Sequence, residues 1–290
     1  MTRDDDVTVR LALPKGRMKD GVFELMADAG IKVGATRRGY RPTLPLDGFE
    51  AKILKPQNII EMLAAGARDV GFAGADWVAE LGADLVELLD TGLDPVQLVA
   101  AAPEALLVDG ALPDQPLVVA SEYPRLTRAW IAERGLDAQF LRTYGATEVF
   151  PPEDADCIVD ITATGTTLRA NDLRAVDELM TSSTRLYASP AAMEDPARRE
   201  RIDRLVLLLR SALVARERVM VEVNVPASKL DAVVAALPCM REPTTAPLHG
   251  GAGYAVKAAV PYADLPRVIP EIKACGGVDV VVTRLTQIVP

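Results

Sequence analysis

A single histidine, His249, stands in a chain of 290 residues. Its scarcity removes His-based metal centres, and it leaves a Ser-His-Asp arrangement only if His249 serves it. Cysteine is scarce too. Cys157, Cys239 and Cys275 lie far apart, without a CxxC pair or any metal-ligand spacing. They read as the reduced, mostly buried thiols of a cytoplasmic protein. Aromatic residues are 4% of the chain against 49% hydrophobic residues, so the cores must be aliphatic. No apolar run reaches the roughly 20 residues that span a bilayer. The opening "MTRDDDVTVRLALP" has no signal-like apolar core. These absences predict a cytoplasmic protein with no membrane partner. An excess of positive charge is also missing: the net charge is -9. That excludes general nucleic-acid binding, which needs a basic surface. A polyanionic small ligand stays open, given a local basic cluster and a divalent cation.

What is present is rhythm. Strand-like and helix-like segments alternate from Val7–Leu13 to about Leu186, which predicts an α/β fold of parallel sheets with crossover helices. "IIEMLAAGA" reads as a helix that Asn58 could begin, and "DLVELLD" and "PVQLVAAA" as two separate strands. Residues 189–217 form the clearest helix, with Ser189 or Asp195 as its cap and Ile202, Leu205, Val206, Leu209 and Leu213 at helical spacing. After it the chain reads β-α-β-β-α-β, the ferredoxin-like pattern. The "HGGAG" run beginning at His249 lies between two of those strands and reads as a hairpin turn, so His249 is structural rather than catalytic.

Four stretches could carry chemistry, and all follow strand ends, where open α/β folds bind ligands. In "CIVDITATGTTL", a strand ends at Asp160. Thr162, Ala163, Thr164, Gly165, Thr166 and Thr167 then lead uncharged into a helix. Small residues and hydroxyls before a helix suit a phosphate monoester, and an acid ahead of them suits ribose hydroxyls. The plain alternative is a strand-to-helix turn with a threonine cap. In "LPKGRMKDG", Lys15, Arg17 and Lys19 sit at a predicted helix start, the unfavourable end for cations unless an anion faces them. The plain alternative is a solvated turn. In "GFAGADW", Gly71 and Gly74 permit close backbone approach, and Asp76 is either a helix cap or a site residue. In "ASEYPRLTRAW", Glu122 and Tyr123 follow the strand, ahead of Arg125 and Arg128.

Together, "LALPKGRM", "DVGFAGADW", "VASEYPRLTRAW" and "ATEVFPPEDADCIVDITATGTTLRAND" resemble the motifs of ATP phosphoribosyltransferases along nearly the whole chain. The last unit, with "EPTTAPL", resembles the regulatory domain of that family's long form. The resemblance implies a two-lobed catalytic part like periplasmic binding proteins, formed by residues 1–98 with 186–215 and by residues 99–185. Residues 216–290 would be the regulatory domain. It implies transfer of a phosphoribosyl group from phosphoribosyl pyrophosphate to N1 of ATP's adenine, with pyrophosphate leaving. Thr164–Thr167 would hold the 5-phosphate, and Asp160 would bind the ribose and favour its cationic form. Lys15 and Arg17 would meet phosphates, Asp76, Glu122 and Tyr123 would shape the nucleotide site, and Glu148 would take the proton released by the adenine amino group. Mg2+ would be held mainly by substrate rather than by protein ligands. Histidine is the implied effector, near Asn224 and Thr244. Asn224 stands where some members carry an acid, and Asp279 stands where small residues are usual. The family assembles as homo-oligomers, dimers building hexamers. The rival reading is a non-catalytic two-lobed sensor, which would not need a phosphate loop beside a basic cluster.

Overall fold

The computed structural model describes residues 7–34 and 39–289. The chain separates into two compact units: Met1–Glu24 with Lys32–Asp203, and Leu25–Ile31 with Arg204–Pro290. In chain order the first carries β1 (Val9–Pro14), α1 (Met18–Asp28, whose last turn belongs to the second unit), β2 (Phe49–Leu54), α2 (Pro56–Ala64), β3 (Val70–Gly74) and α3 (Ala75–Leu81). There follow β4 (Val86–Pro103), β5 (Leu117–Ser121), α4 (Pro124–Arg134), β6 (Ala138–Arg142), β7 (Cys157–Thr162), α5 (Thr166–Ala170), β8 (Leu173–Ala188) and α6 (Pro190–Glu194). α7 (Pro196–Arg216) passes from the first unit into the second.

One sheet of eight strands organises the first unit, in the order β2-β1-β3-β8-β4-β7-β5-β6. Its two wings are parallel within themselves: β1 with β2 and β3, and β5 with β6 and β7. The inner strands β1, β3 and β5 are nearly continuous apolar runs, as covered parallel strands are, and β3 is buried at every residue, whereas the marginal β2 and β6 carry Glu50, Lys52, Gln139 and Arg142. The centre departs from the expected parallel sheets. β4 and β8 pair antiparallel with each other, and antiparallel with β7 and β3 respectively. The two strands expected around Asp90 and Val99 are a single β4, whose pairing with β8 shifts register between Asp90 and Val96 without ending. No crossover helix is needed there, because each long strand simply runs on from one wing to the other.

Local chemistry sets the helix ends. α2 starts at Pro56, two residues ahead of the expected Asn58, because proline suits the first helical position. Gly135 ends α4 at φ 63°, a left-handed conformation that glycine adopts without strain. Both expected caps of the long helix act, on different helices. Ser189 Oγ accepts the Ala192 N–H ahead of α6, and Asp195 Oδ1 accepts the N–H groups of Ala197 and Arg198 ahead of α7.

The second unit holds β9 (Arg218–Val225), α8 (Leu230–Ala236), β10 (Thr244–Pro247), β11 (Tyr254–Pro261), α9 (Leu265–Ala274) and β12 (Val278–Arg284). Its four strands form an antiparallel sheet in the order β10-β11-β9-β12, the ferredoxin-like arrangement expected. Val219, Val221, Val223 and Val225 alternate inward, against Val233 of α8 and Val268 and Ile272 of α9. His249 is exposed on the turn between β10 and β11.

Candidate active site

The register of the large sheet brings the site together. Gly74, the last residue of β3, pairs with Thr184. Thr162, the last of β7, pairs with Gln97, which itself faces Thr181. The carboxyl ends of the two wings therefore point toward each other, three residues apart along β8, or about 10 Å at strand rise. Lys15 follows β1 level with Gly74, since Ala12 pairs with Gly71. Glu122 follows β5 level with Asp160, since Ser121 pairs with Val159. The four stretches singled out in the sequence thus converge on the middle of β4 and β8.

Asp76 is the most constrained of the predicted residues. It is 2% exposed, and it is not a helix cap: Gly74 holds that position. Its Oδ2 accepts the Tyr123 hydroxyl at 2.8 Å and its Oδ1 accepts the Ser182 hydroxyl at 2.6 Å. Ser182 Oγ in turn accepts the Asp76 N–H at 3.0 Å. Gly74 explains the space, because a Cβ there would lie 2.2 Å from Asp76 Oδ1. Burial and then the neighbouring Asp76 carboxylate push the Tyr123 phenol far above its ordinary pKa, so it stays a donor. The Tyr123 ring packs on Trp77, centroids 4.7 Å apart. One turn on, the Glu80 carboxylate accepts the Arg125 and Leu126 N–H groups, both at 3.0 Å, and so caps α4 from α3. The two wings are fastened to each other beside the site.

Across from this fastening lies the threonine loop. Thr162 Oγ1 accepts the Gly165 N–H at 2.9 Å, and the Thr164 and Thr166 hydroxyls lie 2.9 Å apart. Gly165 caps α5 at φ 70°, which leaves Ala163 and the hydroxyls of Thr164, Thr166 and Thr167 exposed. The threonine cap of the plain alternative is absent, since a glycine holds that position. The loop is uncharged in sequence but not in space, since Arg169 reaches back to donate to Thr164 O at 3.0 Å. Asp160 is half-buried, with Oδ1 accepting the Ile161 N–H at 2.7 Å. Burial pushes its carboxyl up to about 6; the Ile161 N–H opposes this, and the fields of Glu148 and Glu122 add to it. Glu148 and Glu122 are therefore electrostatic neighbours of Asp160. Lys15 and Arg17 precede α1 and are paired with no carboxylate among the described residues, whereas Lys19 rests over Phe23 at 5.5 Å.

Sequence reading missed Ser182, Glu80 and Arg169. The run "TSST" (Thr181–Thr184) was the available signal for Ser182, four consecutive hydroxyls in one strand. Glu80 and Arg169 gave none, because their roles depend on which helix end comes to meet them.

In the second unit, the two predicted effector residues occupy different places on the sheet. Thr244 helps line a cavity of about 530 Å³ with Met220, Met240, Arg241, Glu242 and Lys257. Asn224 is outside that lining and donates to Asp279 Oδ2 at 3.2 Å.

Comparison with known proteins bears on this arrangement. A family model described as ATP phosphoribosyltransferase matches residues 55–211, and one described as HisG, C-terminal domain, matches residues 215–287. The ATP phosphoribosyltransferase of Pelodictyon phaeoclathratiforme is 36% identical over 273 residues, covering 92% of this chain and 93% of that protein. The one from Pelotomaculum thermopropionicum is 34% identical over 287 residues, covering 97% and 99%. The solved ATP phosphoribosyl transferase (HisG:HisZ) complex from Thermotoga maritima has a chain of like fold, with a TM-score of 0.63 at 24% identity, over 70% of this chain and 97% of that one. No helix among the described residues is long and apolar enough to cross a membrane. Two family models in series and relatives of matching length lead to one conclusion: the chain belongs to the ATP phosphoribosyltransferase family, pentosyltransferases of histidine biosynthesis.

Proposed function

We propose that the chain transfers the phosphoribosyl group of phosphoribosyl pyrophosphate to N1 of ATP in the cleft between the two wings. The observation that carries this is the convergence just described: a hydroxyl-lined loop and a half-buried carboxylate at the end of β7, with two cations after β1 that meet no carboxylate among the described residues. Thr164–Thr167 hold the 5-phosphate through hydroxyls and backbone N–H groups, with Arg169 adding charge. Asp160, ionised, grips the ribose hydroxyls and stabilises positive charge on the sugar as the bond to pyrophosphate breaks. Lys15 and Arg17 meet the phosphates that carry the opposite charge. Asp76, Glu122 and Tyr123 shape the nucleotide side, with Asp76 acting by fixing Tyr123 and Ser182. Glu148 accepts the proton lost from the adenine amino group. Catalysis is then positioning and electrostatics, with no covalent intermediate on the protein.

The group's need for a divalent cation fits the residues present. Asp160 Oδ2 accepts no hydrogen bond among the described residues and is the hard oxygen donor magnesium prefers, while no three carboxylates there are grouped to hold an ion by themselves. Magnesium would neutralise the pyrophosphate while held mainly by substrate and water.

Residues 1–98 with 186–215 and residues 99–185 are the two catalytic domains in this reading, and 216–290 the regulatory one. Histidine is the effector, with Thr244 and Asn224 as contact residues. The enzyme works in the cytoplasm as a homo-oligomer of dimers building hexamers. The deciding test mixes the protein with ATP, phosphoribosyl pyrophosphate and Mg2+ and measures pyrophosphate release. Binding without release would favour a sensor. Near wild-type turnover in both Asp160→Ala and Thr166→Ala would sink the site assignment. The effector reading fails if Thr244→Ala leaves histidine inhibition unchanged.

A further inference from the structure

Past the end of β6 the chain presents an aromatic ring that packing does not explain. Tyr144 is 85% exposed, more than any other large hydrophobic side chain among the described residues. Its one ring partner is the Arg142 guanidinium, 5.3 Å from the centroid. Arg142 has no ion pair among the described residues, so one face of the ring is covered by a cation with no other partner and the second face is open. The loop that carries the ring is pinned. Thr143 and Thr147 are buried with their hydroxyls 2.8 Å apart, and the Thr143 N–H donates to Ser121 O at 3.0 Å. Gly145 and Ala146 turn at φ 105° and 49°, which confines the tip. Val149, 58% exposed, continues the apolar surface of the same loop.

The position of this ring is set by the sheet. Arg142 pairs with Ser121, and Ser121 with Val159, so Tyr144 stands on the same carboxyl-end rim as Glu122 and Asp160. Glu148, on the same loop, is close enough to raise the Asp160 carboxyl. A flat, open ring fixed on the rim of a site asks for a flat ligand face. The sugar donor has none, being hydroxyls and phosphates throughout. The nucleotide has one.

We infer that Tyr144, braced from behind by Arg142, is the platform on which the adenine ring of ATP stacks, and so a specificity-determining residue; this rests on the phosphoribosyl-transfer reading above.

The test uses the full chain and follows pyrophosphate release with each substrate varied in turn. Tyr144→Ala should raise the KM for ATP about tenfold, the size of one lost base-stacking contact, and leave the KM for phosphoribosyl pyrophosphate within twofold. Tyr144→Trp, which keeps a π face, should restore the ATP value. An unchanged KM for ATP would overturn the inference, as would a change confined to the sugar donor or equal defects in the Ala and Trp variants. If the wild-type protein releases no pyrophosphate, the transfer reading has failed, and equilibrium binding of ATP still tests the platform. Affinity about tenfold weaker in Tyr144→Ala would support it, and equal affinities would overturn it.

Discussion

Replacing Asp160 with asparagine should make the protein more stable and less active. The carboxyl is half-buried and pushed up to about 6, well above the usual carboxylate range. The folded state therefore holds this proton more tightly than the unfolded chain. Between about pH 4 and pH 6 the folded state carries more protons, so stability falls as pH rises through that window. Holding the proton about a hundredfold more tightly than the unfolded chain does sets an upper bound of about 3 kcal/mol. Solvent still reaches part of the group, so about 1–2 kcal/mol is the working figure. Asparagine is isosteric and can keep the Ile161 N–H bond to its oxygen, so the gain should survive the substitution. At pH 7.5, thermal unfolding without ligands should show the variant melting about 2–3 °C higher. The gap should shrink toward pH 4.5. Turnover should fall at least a hundredfold at pH 7.5, because the ionised oxygen that favours the cationic sugar is gone. Wild-type turnover should itself decline as pH drops through about 6. A variant that melts lower at pH 7.5, or a gap that does not depend on pH, would refute the burial argument.

The remaining predictions concern the fastening and the core. Tyr123→Phe strands Asp76 Oδ2 in a buried position and should cost about 1–3 kcal/mol in denaturant unfolding, with a weakened KM for ATP. Glu80→Ala removes the cap on α4 from α3 and should cost about 1–2 kcal/mol by the same measurement. At Asp69, burial pulls the carboxyl upward, but the bonds from Arg10 outweigh it and hold it below its ordinary value. Its contribution is therefore present above about pH 4 and lost on acidification below that. Asp69→Asn should remove it, at about 2–3 kcal/mol, since Arg10 keeps 34% of its side chain exposed.

The parts of this molecule that could be read from the sequence are those governed by neighbours along the chain. Ser189 and Asp195 could be seen as caps, Gly135 as a stop, and the β-α-β-β-α-β order of the second unit from its alternation alone. The threonine loop was visible because strand, loop and helix follow one another without a break. The direction of β4 and β8 was not visible. A run such as Val96–Pro103 is equally apolar whether its partners run parallel or antiparallel, so pairing is decided by the rest of the sheet. The same holds for Asp76. Its carboxylate meets a hydroxyl 47 residues away and another 106 residues away, and nothing in "GFAGADW" announces either. Family likeness alone points to Thr244 and Asn224, and only the sheet register shows that they stand two pairs apart along β9 and β11.

The two long central strands have a consequence for how this enzyme can come apart. Residues 86–103 bond to β7 and residues 173–188 to β3, and the two strands bond to each other along their length, so the inner edge of each wing is completed only by this pair. Cutting the gene between the wings would leave each half with a strand missing and an open ladder where its neighbour had been. Amide hydrogens along β4 and β8 should therefore exchange together and last, as one cooperative block, while β2 and β6 at the margins exchange earlier. Opening of the proposed cleft would need no linker: the irregular register between Asp90 and Val96 is where the continuous ladder is already broken in its pairing. The molecule's seam and its strongest spine are the same pair of strands.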